Sequence, residues 1–148
     1  CTARACIEIL DYYDIRIKGA KAAVVGRSLV VGRPLAMMLM GRNATVTVCH
    51  TGTEPSDMER ICREADILAV ASGRPATVAK QHTNSMQTVI DVGINVDSDG
   101  NMCGDAVFDE ISEEAGAVTP VPGGVGGVTS CILMLHTAEA AEKQLRGK

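Results

Sequence analysis

A short glycine-containing turn between a buried strand and a helix constrains the fold of this chain more than any other feature. Residues 22–25 form an apolar run typical of a buried strand, and the turn 26–32 follows it directly. Pro34 then opens a helix, because a proline in the first helical turn loses no backbone hydrogen bond. The free N–H groups and the dipole at such a helix start attract phosphate. A strand-to-helix turn also needs glycine without any ligand, so the spacing alone leaves both interpretations open.

Apolar periodicity and turn residues divide the chain into alternating helices and strands. The pattern predicts helices over residues 2–13, 35–40, 56–65, 105–115 and 129–146. It predicts strands over residues 22–25, 44–49, 66–71, 88–92 and 117–121, with a hairpin over 95–103. This alternation implies βαβ crossovers. The predicted fold class is therefore α/β, a doubly wound, mostly parallel sheet with helices on both faces, as in Rossmann-like NAD(P)-binding domains.

Composition narrows the class of function. The chain has 148 residues with 46% hydrophobic and 22% charged residues, which suits one globular domain. Its net charge of −4 argues against nucleic acid as a partner, and no apolar run is long enough to span a membrane. The six cysteines include no CxxC pair, which favours a reduced, cytoplasmic protein. Three isolated histidines argue against a metal site.

The end of the second predicted strand favours NADP over NAD. An NAD site usually places an acidic residue there to hold the ribose 2′-hydroxyl. This chain instead has Cys49–His50–Thr51–Gly52–Thr53, and its first acidic residue is Glu54. Arg27 projects from the glycine turn toward the same ribose. A cation and hydroxyl groups fit a 2′-phosphate better than a 2′-hydroxyl.

The ordered motifs resemble the NADP-binding half of the bifunctional methylenetetrahydrofolate dehydrogenase/methenyltetrahydrofolate cyclohydrolase family, often called FolD. They are VVGRS at 24–28, VGRP at 31–34, ATVTVCH at 44–50, DVGIN at 91–95, GD at 104–105 and TPVPGGVG at 119–126. The resemblance implies oxidation of 5,10-methylenetetrahydrofolate by NADP, followed by hydrolysis of the methenyl product to 10-formyltetrahydrofolate. It also implies a homodimer, with the hairpin over 95–103 as a contact.

The same resemblance implies which residues bind the cofactor. Gly26, Arg27 and Ser28 would hold the phosphates, Thr51 would lie at the 2′-phosphate, and Ile94 would lie near the nicotinamide. The loop 122–126 would line the cleft where cofactor and folate meet. One departure weakens the expectation of NADP, because Gly52 stands where the family commonly has a basic residue.

The chain lacks the family's catalytic Tyr-x-x-x-Lys pair. Tyr12 is followed four residues later by Arg16, and Tyr13 by Ile17. We therefore expect no catalytic residue in this chain, which begins at Cys1 without Met and is interpreted as a fragment. Residues 1–18 are expected to form a linking helix and lead-in from an absent N-terminal catalytic domain, and residues 19–148 the NADP-binding domain.

Two other functions stay open from the sequence. One is the cofactor domain of a shikimate-dehydrogenase-like enzyme, against which the Pro-Gly-Gly-Val-Gly loop argues. The other is a nucleotide-sensing Rossmann module with no catalysis. About 120–140 preceding residues with a Tyr-x-x-x-Lys motif, an ordinary domain length, would favour the folate enzyme.

Overall fold

A five-stranded parallel sheet forms the centre of the molecule, in the order β2-β1-β3-β4-β7. The computed structural model describes residues 1–146; the last two residues of the predicted domain 19–148 lie outside the described residues. The strands of this sheet are β1 (Lys21–Val25), β2 (Thr45–Cys49), β3 (Ile67–Val70), β4 (Thr88–Asp91) and β7 (Ala117–Val118). The predicted α/β fold class with a doubly wound parallel sheet is confirmed.

Helices cover both faces of the sheet. They are α1 (Thr2–Tyr12), α2 (Gly32–Gly41), α3 (Pro55–Glu64), α4 (Phe108–Glu114) and α5 (Val125–Arg146), and a short 3₁₀ helix spans Lys80–His82. The strands β5 (Asn95–Val96) and β6 (Met102–Cys103) pair in antiparallel fashion as the predicted hairpin. None of the helices within residues 1–146 combines the length and the apolar character needed to cross a membrane.

Alternate residues of β1 supply two separate cores. Ala22 and Val24 face a cluster built with α1, α2 and α5. Ala23 and Val25 face the opposite cluster, which includes Cys62 of α3. Successive side chains of a strand point to opposite faces, so a strand buried on both sides reads as a continuous apolar run. This is why residues 22–25 stand out in the sequence.

Four helix starts differ from the predicted ones. The helices predicted to begin at residues 35 and 105 begin at Gly32 and Phe108. The predicted helix 56–65 begins at Pro55, and no side chain caps it. Proline at the first helical position has no N–H group and so needs no acceptor from a capping side chain. The last helix begins at Val125, four residues before the predicted start at residue 129. Gly126 and Gly127 therefore belong to α5 and not to a loop.

Candidate cofactor-binding site

A cleft of about 500 Å³ lies at the carboxyl ends of the first three strands. The chain passes from β1 outward to β2 and then returns past β1 to β3, so the strand order reverses between β1 and β3. Ligands of open α/β sheets bind at such a switch point. The cleft is lined after β1 by Gly26, Arg27 and Ser28, after β2 by His50, Thr51 and Thr53, and after β3 by Ala71, Ser72, Arg74 and Thr77.

Gly26 brings three backbone segments into contact at the floor of this cleft. Its φ of 121° lies in a region that side chains rarely adopt. A Cβ atom at Gly26 would collide with the carbonyl of Ala71, and a Cβ atom at Gly32 would collide with the carbonyl of Gly26. The ends of β1 and β3 and the start of α2 are thus packed backbone against backbone. Only glycine permits this approach.

The turn after β1 leaves several backbone donors without a partner among the described residues. The Oγ atom of Ser28 accepts hydrogen bonds from the N–H groups of Val31 at 3.0 Å and Gly32 at 3.3 Å. Nε of Arg33 donates to the carbonyl of Arg27 at 3.1 Å, which fixes the turn. The N–H groups of residues 27–30 find no acceptor within residues 1–146. Such a run of free donors at a helix start suits an anion.

The turn after β2 adds polar groups without negative charge. Thr53 Oγ1 accepts a hydrogen bond from the N–H of His50 at 3.0 Å, and His50 Nδ1 accepts one from the N–H of Gly52 at 3.0 Å. Thr51 lies between them and lines the cleft. Two arginines line the cleft, and among its described lining residues none is Asp or Glu. The site is therefore suited to an anionic ligand.

The turn after β3 contributes hydroxyl groups that the sequence reasoning missed. Ser72 Oγ lies 2.8 Å from Thr77 Oγ1, and the Thr77 hydroxyl donates to the carbonyl of Arg74 at 2.7 Å. The available signal was the Ser-Gly-Arg-Pro turn that follows a buried strand.

The structure brings four of the five predicted cofactor-binding residues together. Gly26, Arg27, Ser28 and Thr51 line one cleft. Ile94 is not among the residues that line it; it follows β4 and is 69% exposed. No group of three or more potential metal-ligating side chains occurs within the described residues.

Asp91 has a structural role in the segment that follows β4. Its carboxylate accepts hydrogen bonds from the N–H groups of Gly93, Asp105 and Ala106 at 2.9 to 3.0 Å. Burial raises the pKa of Asp91, while these three hydrogen bonds act in the opposite direction. Its bonds to three backbone groups favour a structural role.

Comparison with known proteins places the chain in a described family. Residues 1–145 match the family described as "Tetrahydrofolate dehydrogenase/cyclohydrolase, NAD(P)-binding domain". The chain is 48% identical over 143 residues to the bifunctional protein FolD of Clostridium botulinum, strain Okra, covering 97% of this chain and 50% of that protein. The chain thus spans about half the length of the curated relatives that it matches.

Solved structures agree with this assignment. The bifunctional FolD methylenetetrahydrofolate dehydrogenase/cyclohydrolase of Campylobacter jejuni superimposes with a TM-score of 0.93 at 38% identity, covering 97% of this chain and 50% of that chain. The methylenetetrahydrofolate dehydrogenase-cyclohydrolase of Trypanosoma brucei, described as complexed with NADP cofactor and inhibitor, gives 0.92 at 37% identity, covering 99% and 51%.

The backbone contact at Gly26 gives a direct test of the site's architecture. Gly26→Ala is expected to lower the free energy of unfolding by roughly 2–4 kcal/mol, because the new methyl group meets Ala71 and φ is positive. The measurement is urea unfolding followed by circular dichroism. Gly41→Ala is the matched control, since nothing lies within 4 Å of that position. Equal shifts in both variants would contradict the packing described for Gly26.

Proposed function

This chain belongs to the tetrahydrofolate dehydrogenase/cyclohydrolase family, and from that premise we propose that it is the NADP-binding domain of a bifunctional folate enzyme. The observation that carries this proposal is the composition of the cleft. Arg27, hydroxyl side chains and free backbone N–H groups surround it, and no carboxylate is among its described lining residues. That combination favours a phosphorylated ribose over a free 2′-hydroxyl.

The residues present fit NADP in a definite orientation. Arg27 and Thr51 would hold the 2′-phosphate, and the turn with Gly26 and Ser28 would hold the pyrophosphate. Because β2 and β3 flank β1 on opposite sides, the residues that follow β3 and β4 would hold the nicotinamide half. Ile94 follows β4 and is placed at the nicotinamide end.

The chain's own contribution to the reaction is binding and orientation. NADP supplies the hydride acceptor when it is bound. The parent enzyme oxidises 5,10-methylenetetrahydrofolate to the methenyl form and hydrolyses that product to 10-formyltetrahydrofolate. Proton transfer in such steps needs a positioned titratable group, and no lysine is among the described residues that line the cleft. We assign the proton transfer to the Tyr-x-x-x-Lys pair of an N-terminal domain.

Exposed apolar surface on this domain supports the proposal that a second, N-terminal domain packs against it. Helix α5 has 22 residues, of which only Val125 and Ile132 are buried, while Leu133, Met134 and Leu145 are more than half exposed. A second, mostly apolar cleft of about 500 Å³ lies between α1 and β7. Large apolar patches mark interaction surfaces. We propose that the N-terminal catalytic domain covers α5 and that residues 1–18 link it to the domain of residues 19–148.

The hairpin supplies a candidate homodimer contact. Its apolar side chains Val96 and Met102 are 69% and 50% exposed. A two-fold dimer buries the same patch on both subunits.

All six cysteines are free, which supports a location in the reducing cytoplasm.

The cofactor assignment is tested by removing the cation at the predicted 2′-phosphate. Arg27→Ala should weaken NADP⁺ binding about 10- to 150-fold and leave NAD⁺ binding unchanged, because the lost hydrogen bonds to a charged group contribute about 1.5–3 kcal/mol. Isothermal titration calorimetry measures both affinities. Arg63→Ala removes an exposed arginine of α3 that does not line the cleft and should change neither. Wild-type protein that binds NAD⁺ and NADP⁺ equally would refute the assignment.

Because the proton-transferring group is assigned to another domain, we expect this chain to bind the cofactor without catalysing the reaction. The 148-residue chain should bind NADP⁺ yet show no turnover of 5,10-methylenetetrahydrofolate, measured as NADPH formation by absorbance. The intact parent protein is the positive control, and replacing the lysine of its Tyr-x-x-x-Lys pair should abolish its activity. Turnover of about 1 s⁻¹ or more by this chain alone, which is an ordinary enzymatic rate, would show that the catalytic group lies within it.

The dimer contact is tested by placing charge in the hairpin. Val96→Asp should convert the dimer to a monomer in sedimentation velocity, because two carboxylates would then meet across the two-fold axis. Met86→Asp is the matched control, since Met86 is 88% exposed and lies before β4, away from the hairpin. A wild-type monomer, or equal dissociation of both variants, would exclude the hairpin as the contact.

A further inference from the structure

Two buried carboxylates lie close together beneath the loops that follow β3 and β4. Asp91 is 3% exposed and Asp105 is fully buried. Every ion pair found within residues 1–146 involves other carboxylates. A buried charge is costly unless hydrogen bonds satisfy it. The hydrogen-bond partners of each carboxylate therefore show which segments it holds in place.

Asp105 holds the loop that follows β3 through both its side chain and its backbone. Its Oδ2 accepts a hydrogen bond from the Ser72 hydroxyl at 3.0 Å and from the N–H of Gly73 at 2.8 Å. Its backbone carbonyl accepts one from the N–H of Thr77 at 2.8 Å. Ser72 and Thr77 line the cofactor cleft. The position of this wall of the cleft thus depends on a residue that does not line it.

The same carboxylate holds the segment that follows β4. Oδ1 of Asp105 accepts a hydrogen bond from Nδ2 of Asn95 at 2.8 Å. Gly93 packs directly on the Asp105 carboxylate, because a Cβ atom there would collide with it. Ile94 lies between these two residues. Its backbone is therefore fixed on both sides by contacts with Asp105.

We propose that Asp105 is a positioning residue for the nicotinamide half of the bound dinucleotide. It joins the wall that carries Ser72 to the segment that carries Ile94, and so sets the width of the cleft beyond β3. The adenine half lies at the ends of β1 and β2, where Asp105 makes no contact. This inference rests on the proposed function, since it assumes that the cleft binds NADP.

Asp105→Asn disturbs this link with little change in shape. A carboxylate offers two acceptor oxygens, whereas an amide offers one acceptor and one donor. In the variant, either Ser72 and Gly73 or Asn95 faces an NH₂ group where it now finds an oxygen. The link of residue 105 to one of the two segments is therefore weakened. A loss of hydrogen bonds to a charged group has a measurable effect even when the fold survives.

The test compares a whole and a truncated ligand on the full chain. NADP⁺ and adenosine 2′,5′-bisphosphate share the adenine and the 2′-phosphate, but the bisphosphate lacks the nicotinamide half. Isothermal titration calorimetry of Asp105→Asn should show NADP⁺ affinity reduced about tenfold or more, with bisphosphate affinity within about twofold of wild type. Asp99→Asn, the same substitution on the exposed hairpin turn, should change neither affinity.

Each outcome separates the inference from the proposed function. If wild-type protein binds neither ligand, the proposed function fails. If it binds both but Asp105→Asn weakens them equally or not at all, the positioning role fails alone. Wild-type protein that binds NADP⁺ no tighter than the bisphosphate also overturns the positioning role.

A second variant decides the outcome should Asp105→Asn not fold. Asn95→Ala removes one donor to Asp105 and leaves the Ser72 contacts intact. It should weaken NADP⁺ about threefold or more while leaving the bisphosphate within about twofold, because one hydrogen bond contributes about 0.5–1.5 kcal/mol. If each of the two ligands binds Asn95→Ala with the same affinity as wild type, the positioning role is refuted.

Discussion

The contact of Gly26 with two other backbone segments is the constraint on which the rest of the site depends. It joins the end of β1 to the Ala71 carbonyl after β3 and to Gly32 at the start of α2. A Cβ atom at Gly26 would collide with the end of β3, and a Cβ atom at Gly32 would collide with the Gly26 carbonyl and displace the start of α2. The packing of β1 against β3 and the direction of the α2 dipole thus both depend on glycine, and the ligand site follows from both.

Local sequence signals predicted the order of elements well because each element is consistent with its own neighbourhood. β1 and β3 are buried on both faces and appear as unbroken apolar runs. Element ends were harder to predict. Gly126 and Gly127 indicated a loop, since glycine lowers helix stability by about 1 kcal/mol. The burial of Val125 and Ile132 outweighs that cost, and α5 includes both glycines.

The candidate site could be predicted only where its residues follow strands. Gly26 and Thr51 come directly after two neighbouring strands, whose carboxyl ends must meet at one edge of the sheet. The roles of Ser72 and Asp105 depend on a hydrogen bond between residues 33 positions apart in sequence. No periodicity or turn motif reports such a pair. Ile94 is the opposite case. The family resemblance predicted a role for it, whereas its position after β4 does not by itself indicate one.

The backbone N–H groups in the loops at the two ends of this sheet edge are satisfied in different ways. After β4, the carboxylate of Asp91 accepts hydrogen bonds from three N–H groups, and after β3 the N–H of Gly73 donates to the carboxylate of Asp105. Carboxylates of the chain itself thus satisfy the backbone donors of those loops. After β1, the donors of residues 27–30 have no such carboxylate within residues 1–146, and Arg27 adds positive charge beside them. Identical backbone chemistry thus makes one end of the edge a rigid support and leaves donors at the other end free for an anion.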